Sequence, residues 1–155
     1  MIQIEMTFDA GHRIVGHKGK CARLHGHTYR ARIECGRGTL RDPGFVVDFG
    51  DVKDLVNEWD HRMLLWQEDP LTFSLGVPPD LDITVEQWWR LREDEEGIVR
   101  LPFNPTAENM SMDLSQRICL AFDLDWCKVR LWETPNAWAE AMFYLRGELG
   151  ASEKV

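Results

Sequence analysis

The residues of this sequence best placed to do chemistry are two histidines around one glycine, with a cysteine four positions earlier. They form the stretch CARLHGH, in which Cys21 precedes His25 and His27. Residues i and i+2 of a β-strand point to the same face, so both imidazoles would project together. His12 ends an earlier alternating pattern on its apolar phase, and pairing of the two strands would bring it beside them. Three neutral imidazoles with an open fourth position are typical of catalytic zinc, which an all-nitrogen set favours over copper or iron.

The role of Cys21 has two interpretations at this point. The thiol lies outside the strand phase of the histidines, in a polar loop that also carries Lys18, Lys20 and Arg23. It could close a structural zinc site as a fourth ligand. It could instead act as a thiolate base or nucleophile whose pKa the metal and the neighbouring cations lower. The remaining cysteines fall in apolar patterns and are expected to be buried and inert: Cys35, Cys119 and Cys127.

A second pair of candidate residues, Asp60 and His61, ends a predicted helix. A carboxylate beside an imidazole there is explained by a contact with the helix dipole. It is equally explained by a general acid or base with its orienting partner, and the residues alone do not separate the two. His17 shares no strand face with the other histidines, so we expect it to be exposed or to lie behind the ligands.

Glu133 is a carboxylate on the apolar side of a predicted strand, in phase with Val129 and Leu131. A carboxylate in such a position needs a partner. That partner is either a buried arginine or a ligand that offers paired N–H donors, as the edge of a pterin or a guanine does.

The elements that must position these side chains follow the order ββααββ. Alternation, caps and turn residues predict strands at 2–9 and 27–35, a short strand at 45–49, a helix capped by Asp48 or Asp51 that runs to about Trp59, a helix capped by Thr106, and a hairpin of 128–134 and 137–145. This order indicates an α+β domain, an antiparallel sheet with two helices on one face. The stretch at about 67–103 is the least regular, with a short helix over 84–94.

Length and composition indicate a single domain, residues 1–155, with an irregular insertion at about 67–103. An apolar fraction of 44% suits a globular protein with its own core. No secretory signal opens the sequence, and no run of about 18 apolar residues could span a membrane. The four cysteines lack the pairing and density of a disulfide scaffold, so we expect a reduced, cytoplasmic protein that does not bind membranes.

The distribution of charge suggests the kind of ligand. A net charge of −8 argues against nucleic-acid binding. Between Asp9 and Glu34, however, the chain has no acidic residue, and six basic ones fall in that window: Arg13, Lys18, Lys20, Arg23, Arg30 and Arg32. A basic patch around a histidine cluster in an acidic protein favours a small anionic substrate, with phosphate the obvious candidate.

Six motifs together resemble a known family. They are AGH at 10–12, KCARLHGH at 20–27, VVDFGDVK at 46–53, DH at 60–61, NPTAEN at 104–109 and WETPNAWAE at 132–140. Their order resembles the 6-pyruvoyltetrahydropterin synthase superfamily, and within it the 6-carboxytetrahydropterin synthases of queuosine (7-deazaguanine) biosynthesis. The resemblance covers nearly the whole chain outside 67–103. It implies the tunnelling (T-) fold and homo-oligomers, trimers or hexamers, with active sites at subunit interfaces.

The resemblance also implies roles for the motif residues. His12, His25 and His27 would bind Zn²⁺, and Cys21 would abstract a proton rather than bind the metal. Asp60 and His61 would relay protons, from the same or a neighbouring subunit, and Glu133 would hold the pterin ring as a member of the catalytic set. The pocket would include Thr106 and Glu108, although the helix dipole alone also explains an acid at 108. For the triphosphate, the basic stretch from Arg13 to Arg32 offers a binding site, and we expect Lys18, Lys20 and Arg23 to contact it.

The reaction that the resemblance implies is a carbon–carbon cleavage. 7,8-Dihydroneopterin triphosphate would give 6-carboxytetrahydropterin, acetaldehyde and triphosphate. One alternative is a 6-pyruvoyltetrahydropterin synthase, which eliminates triphosphate and keeps every side-chain carbon. Another is a non-catalytic binding module in which zinc is structural and Cys21 is its fourth ligand.

Overall fold

The computed structural model describes residues 1–71 and 97–146 and has the expected α+β class. Its elements are β1 Ile2–His12, a 3₁₀ turn Lys20–Ala22, β2 His25–Gly36, α1 Phe49–Asn57, β3 Arg62–Trp66, β4 Ile98–Leu101, α2 Ala107–Ala121, β5 Trp126–Thr134 and β6 Ala137–Tyr144. The predicted first two strands, both helices and the C-terminal hairpin are present. The short helix predicted over 84–94 lies outside the described residues.

Hydrogen bonding orders the strands β4-β3-β1-β2-β5-β6. The β2–β5 and β5–β6 pairs are antiparallel, whereas β1–β3 and β3–β4 are parallel. The sequence patterns predict neither β3 nor β4, nor any parallel pairing. Both strands are too short to show a clear alternation, and parallel pairing depends on a crossover that no local turn motif encodes.

The short strand predicted at 45–49 is absent. Phe45 forms only an isolated bridge with Arg41, and Val46 and Val47 are buried in a bend. The side chain of Asp48 accepts a hydrogen bond from the backbone N–H of Gly50, which makes Asp48 the N-cap of α1. The apolar run at 45–49 therefore leads into a helix, because its Asp satisfies a backbone donor of the first turn.

Both helices begin at the caps that the sequence predicts. The Thr106 hydroxyl accepts a hydrogen bond from the backbone N–H of Asn109 at 3.3 Å. The predicted apolar face of α2 is buried at Met110, Leu114 and Ile118, and α2 packs against β5 and β6. In the chain as described, neither helix is long and apolar enough to cross a membrane.

The chain divides into two compact units. Of the described residues, the first unit contains 1–8, 28–58 and 106–146, and the second contains 9–27, 59–71 and 97–105. The first has α1, α2, β5, β6 and most of β2. The second has β3, β4, the end of β1 and the start of β2, and with them the histidines, Cys21 and Asp60.

Candidate metal centre and the loop that carries Cys21

The end of β1 and the start of β2 bring the three predicted histidines together. His12 is fully buried, and His25 and His27 are half-buried. Their ring centroids are 4.5 Å apart for His12 and His25, 5.2 Å for His12 and His27, and 4.9 Å for His25 and His27. One ring nitrogen from each lies within 4.8 Å of the others. Three imidazoles at this spacing can hold a metal ion.

The glycine between His25 and His27 allows the two strands to approach closely. A Cβ atom on Gly26 would lie 3.2 Å from the carbonyl oxygen of Ala10 in β1. That distance is shorter than ordinary van der Waals contact, and a backbone atom inside a sheet cannot move away freely. Gly26 is therefore the residue that lets the histidine pair of β2 lie beside His12.

Backbone carbonyl groups fix the orientation of two of the imidazoles. His12 Nδ1 lies 2.8 Å from the carbonyl oxygen of Pro105, and His25 Nδ1 lies 2.7 Å from that of Arg23. A carbonyl oxygen only accepts, so each Nδ1 carries the proton that is donated. In the neutral rings the Nε2 atoms then hold lone pairs, and they face each other at 3.1 Å. Two lone pairs at that separation repel unless a cation shares them, so the arrangement fits a metal bound through Nε2.

Cys21 lies in the loop between β1 and β2, which we call the thiol loop (residues 13–24). Its side chain is half-buried within the 3₁₀ turn, and its carbonyl oxygen accepts a hydrogen bond from Ile14 N–H at 2.7 Å. That bond ties the turn to the residues directly after His12. The clustered ligand atoms around His12 do not include the Cys21 sulfur, as far as the described chain shows.

The six basic residues between Asp9 and Glu34 fall into two groups, those that pair within the protein and those that stay exposed. Arg13 donates from Nε and Nη2 to the buried carboxylate of Asp69 at 2.7 and 2.5 Å. Burial alone would raise the pKa of Asp69, but the hydrogen bonds from Arg13 and from the Leu71 N–H outweigh burial and lower it. Arg32 pairs with Glu5 at 2.6 Å, and Arg30 lies 4.0 Å over the ring of Trp132. Those three arginines are engaged within the protein.

Three cations of the thiol loop remain for an anionic ligand: Lys18, Lys20 and Arg23. All three are exposed, and residues 1–71 and 97–146 provide no carboxylate within ion-pair distance of them. His17, on the same loop, is exposed, and its Nδ1 accepts a hydrogen bond from Gly19 N–H at 2.9 Å. The thiol loop thus keeps three exposed basic side chains after the internal pairs are formed.

Asp60 and His61 form a hydrogen-bonded pair beside β1. His61 Nδ1 lies 2.9 Å from Asp60 Oδ2, and His61 has a left-handed backbone with φ of 57°. Asp9 holds the pair from both sides, because its N–H donates to Asp60 Oδ1 at 2.8 Å and its carbonyl accepts from His61 N–H at 2.6 Å. The hydrogen bonds from Asp9 and His61 lower the pKa of Asp60, and the Asp60 carboxylate raises the pKa of His61.

The other predicted site residues belong to the first unit. Glu133 is half-buried in β5, at a register shift between Trp132 and Thr134. Thr106 is the N-cap of α2, and Glu108 is exposed in the first turn of that helix. The helix N-terminus accounts for the local chemistry of both.

A sequence model of the family described as 6-pyruvoyl tetrahydropterin synthase matches residues 1–142. The chain belongs to this family. Curated relatives include a probable 6-carboxy-5,6,7,8-tetrahydropterin synthase of Halobacterium salinarum, 38% identical over 73% of this chain and 65% of that protein. They also include the 6-carboxy-5,6,7,8-tetrahydropterin synthase of Rickettsia typhi, 33% identical over 87% of this chain and 94% of that one. The chain thus spans just under two thirds of the first relative and nearly all of the second.

The fold of this pterin synthase family member is shared with solved structures. The 6-pyruvoyl tetrahydropterin synthase of Plasmodium vivax matches with a TM-score of 0.58 and 19% identity, over 93% of this chain and 98% of that chain. This likeness agrees with the fold that the motifs imply. The expected membership of the family and the expected enzyme class are both confirmed.

The three remaining thiols of this family member are buried in the first unit, as their apolar patterns predict. Burial raises the pKa of Cys35 to about 11 and also raises the pKa of Cys119 and Cys127. Thiols that resist ionisation are poor nucleophiles. Cys21 is therefore the one cysteine of this chain that is partly accessible, and it lies on the loop that carries Lys18, Lys20 and Arg23.

Sequence reasoning missed the residues that act through the backbone. Nothing in the residue types indicates that Pro105 and Arg23 orient the imidazoles with their carbonyl groups, or that Asp9 holds Asp60. The NPTAEN motif was the available signal for the first of these, because it marks the segment that contains Pro105. A backbone carbonyl or N–H group can play such a role whatever side chain the residue carries, so the residue type does not indicate it.

Proposed function

We propose that the protein is a zinc-dependent lyase that converts 7,8-dihydroneopterin triphosphate to 6-carboxytetrahydropterin, acetaldehyde and triphosphate, a step of queuosine biosynthesis. The observation that carries the metal-dependent chemistry is the pair of Nε2 atoms of His12 and His25, which face each other with their Nδ1 atoms bonded to carbonyl groups. The names of the relatives from Rickettsia and Halobacterium support this reaction over others in the family.

His12, His25 and His27 would hold the zinc ion, and their nitrogen donors suit zinc. When bound, zinc supplies Lewis acidity that lowers the pKa of a substrate hydroxyl group. The carbonyl groups of Pro105 and Arg23 keep the imidazoles from rotating and, in the neutral rings, leave the lone pair on Nε2. That preorganisation means that the site needs little rearrangement to bind the ion.

Cys21 would take a proton from the substrate side chain. Cys21 is half-buried on a loop that retains three cations, and the resemblance of its motif implies this role. The same cations, on Lys18, Lys20 and Arg23, would attract the triphosphate group before it leaves.

Asp60 and His61 would exchange protons with the substrate. An imidazole held by a carboxylate is a typical proton shuttle near neutral pH. The side chain of His61 is 77% exposed, so it can meet a substrate in its own subunit or in a neighbouring one. Glu133 would bind the paired N–H groups of the pterin ring, as the resemblance implies, and Thr106 and Glu108 would contribute to the pterin pocket.

The test is an assay for acetaldehyde. Zinc-loaded protein is incubated with 7,8-dihydroneopterin triphosphate, and acetaldehyde, triphosphate and pterin products are quantified together. We expect equal amounts of acetaldehyde and triphosphate. Release of triphosphate without acetaldehyde would instead identify a 6-pyruvoyltetrahydropterin synthase, a second candidate that the description of the matched family favours. Zinc binding without any turnover would identify a binding module.

The expected assembly and location go with this function. The family resemblance implies a homo-oligomer, trimer or hexamer, which light scattering on the zinc-loaded protein measures directly. Four free cysteines fit a reducing compartment such as the cytoplasm. The net charge of −8 fits a small-molecule substrate better than nucleic acid.

A further inference from the structure

The thiol loop has an anchor that the proposed mechanism does not use. Within the loop, one hydrogen bond joins Ile14 N–H to the Cys21 carbonyl oxygen at 2.7 Å, and shorter-range bonds link His17 to Ile14 and to Gly19. At its base, Arg13 is bound by Asp69 through two hydrogen bonds. Val15, the residue that follows Ile14, forms hydrogen bonds with Asn104, which lies outside the loop.

Asn104 binds both backbone groups of a single residue in the loop. Its Oδ1 accepts from Val15 N–H at 2.9 Å, and its Nδ2 donates to the Val15 carbonyl oxygen at 2.8 Å. The primary amide thus imitates the edge of a neighbouring strand, although it lies 89 residues away in the chain. Only an amide side chain offers both an acceptor and a donor in this arrangement.

The residue after Asn104 binds the histidine cluster. The carbonyl oxygen of Pro105 accepts from His12 Nδ1 at 2.8 Å, while Asn104 holds Val15. Adjacent residues are joined by a rigid peptide with Cα atoms about 3.8 Å apart. The 104–105 dipeptide therefore sets the position of the loop relative to the imidazole of His12, since it forms hydrogen bonds with both.

We propose that Asn104 is a positioning residue that holds the thiol loop, and with it Cys21, in place beside the histidine cluster. The catalytic consequence rests on the proposed function of Cys21, whereas the effect on the loop does not. Replacement of Asn104 by Ala leaves the Arg13–Asp69 pair and the His12–Pro105 bond in place. The fold and the metal site should therefore survive while the loop loosens.

Cleavage and labelling at residues of the loop can measure how firmly the loop is held. Lys18, Lys20 and Arg23 are trypsin sites, and Cys21 is the thiol open to alkylation. Zinc-loaded wild type, Asn104→Ala and Asn104→Asp are exposed to trypsin and, separately, to iodoacetamide, and mass spectrometry follows cleavage and labelling at each position. Asn57→Ala is the matched control, because Asn57 is exposed at the end of α1.

Asn104→Ala should raise cleavage within the loop and alkylation of Cys21 by about 10-fold, since it removes two hydrogen bonds. Asn104→Asp keeps the acceptor for Val15 N–H and loses the donor, so it should fall between Ala and wild type. Asn57→Ala should match wild type. In the turnover assay Asn104→Ala should lower kcat with KM and zinc content nearly unchanged, and Asn104→Asp should recover part of the loss.

Unchanged cleavage and labelling in Asn104→Ala would overturn the proposal. A uniform rise at trypsin sites throughout the chain would overturn it too, because it would mean general destabilisation. If wild type shows no turnover, the proposed function fails, and the proteolysis and labelling still decide the role of Asn104.

Discussion

The Nε2 atoms of His12 and His25 lie 3.1 Å apart, and the Nδ1 atom of each ring is bonded to a backbone carbonyl oxygen. The carbonyl groups determine which nitrogen carries the proton, so two lone pairs converge on one point. A site of this kind suits a cation, and the rings that would bind it are already oriented by their carbonyl partners.

Loss of one converging imidazole should therefore weaken metal binding strongly. His25→Ala should lower zinc affinity by at least about 100-fold. Loss of a residue that only hydrogen-bonds to a metal ligand already costs about 10–100-fold, and loss of the ligand itself should cost more. His25 is half-buried, so the substitution should leave the fold intact, unlike a change at the fully buried His12. Competition with a chromogenic chelator measures the affinity.

His17→Ala is the control for this measurement. His17 is an exposed histidine of the same loop, and its Nδ1 accepts only from a neighbouring glycine N–H among the bonds that the structure describes. The His17→Ala variant should bind zinc with the same affinity as the wild-type protein. Equal affinities for His25→Ala and wild type would contradict a site built from these histidines.

Replacement of Cys21 separates the two roles that its sequence position allows. If the thiolate moves a proton, Cys21→Ala should keep its zinc and lose at least about 100-fold in kcat. If the sulfur is a fourth ligand, zinc affinity should fall instead. Zinc content and turnover are measured on the same preparation, and Cys119→Ala, which changes a buried thiol, controls for loss of a cysteine as such.

The Asp60–His61 pair should produce a measurable shift in titration. The carboxylate raises the pKa of His61 above its ordinary 6.5, and Asp9 adds a smaller effect of the same sign. Asp60→Asn should therefore lower the pKa of His61 toward 6.5, and Asp9→Asn should lower it less. NMR titration of the imidazole protons measures the values, with Glu58→Gln as a nearby exposed carboxylate control.

The same pair affects stability in a defined pH window. His61 has a raised pKa, so its contribution is fully present below about 6.5 and is lost as the pH rises through the raised value. Asp60 has a lowered pKa, so its contribution is present above 3.8 and is lost as the pH falls through the lowered value. Wild type should exceed Asp60→Asn in Tm mainly between these limits. A Tm difference that does not vary with pH would argue against the ion pair.

Gly26 offers a test of the close approach between β1 and β2. A Cβ atom there would lie 3.2 Å from the Ala10 carbonyl oxygen, so Gly26→Ala should destabilise the protein by about 1–3 kcal/mol. It should also weaken zinc binding, because the strain separates the strands that carry the ligands. Gly38→Ala is the control, since its nearest contact is an ordinary 3.5 Å. Urea unfolding curves compare the two, and equal stabilities would show that β1 yields without strain.

Local patterns of the sequence were sufficient for the elements that follow from periodicity and capping. Alternation places His12 on the buried face of β1 and aligns His25 with His27, because side chains of a strand repeat every two residues. Thr106 caps its helix as predicted, and Asp48 is the one of the two predicted candidates that caps the other, because a side-chain oxygen satisfies a backbone donor only a few residues away. These interactions are short in sequence, so their signals lie within one segment.

The tertiary structure decided what depends on distant segments. Several interactions join residues up to 93 positions apart. They are the parallel pairing of β3 with β1, the hydrogen bonds of Arg13 to Asp69, those of Asn104 to Val15, and that of His12 to Pro105. The patterns identified the histidines and the thiol as a chemical set. Only long-range hydrogen bonds, which the folded chain alone can form, determined which ring nitrogens face each other and where the Cys21 loop is held.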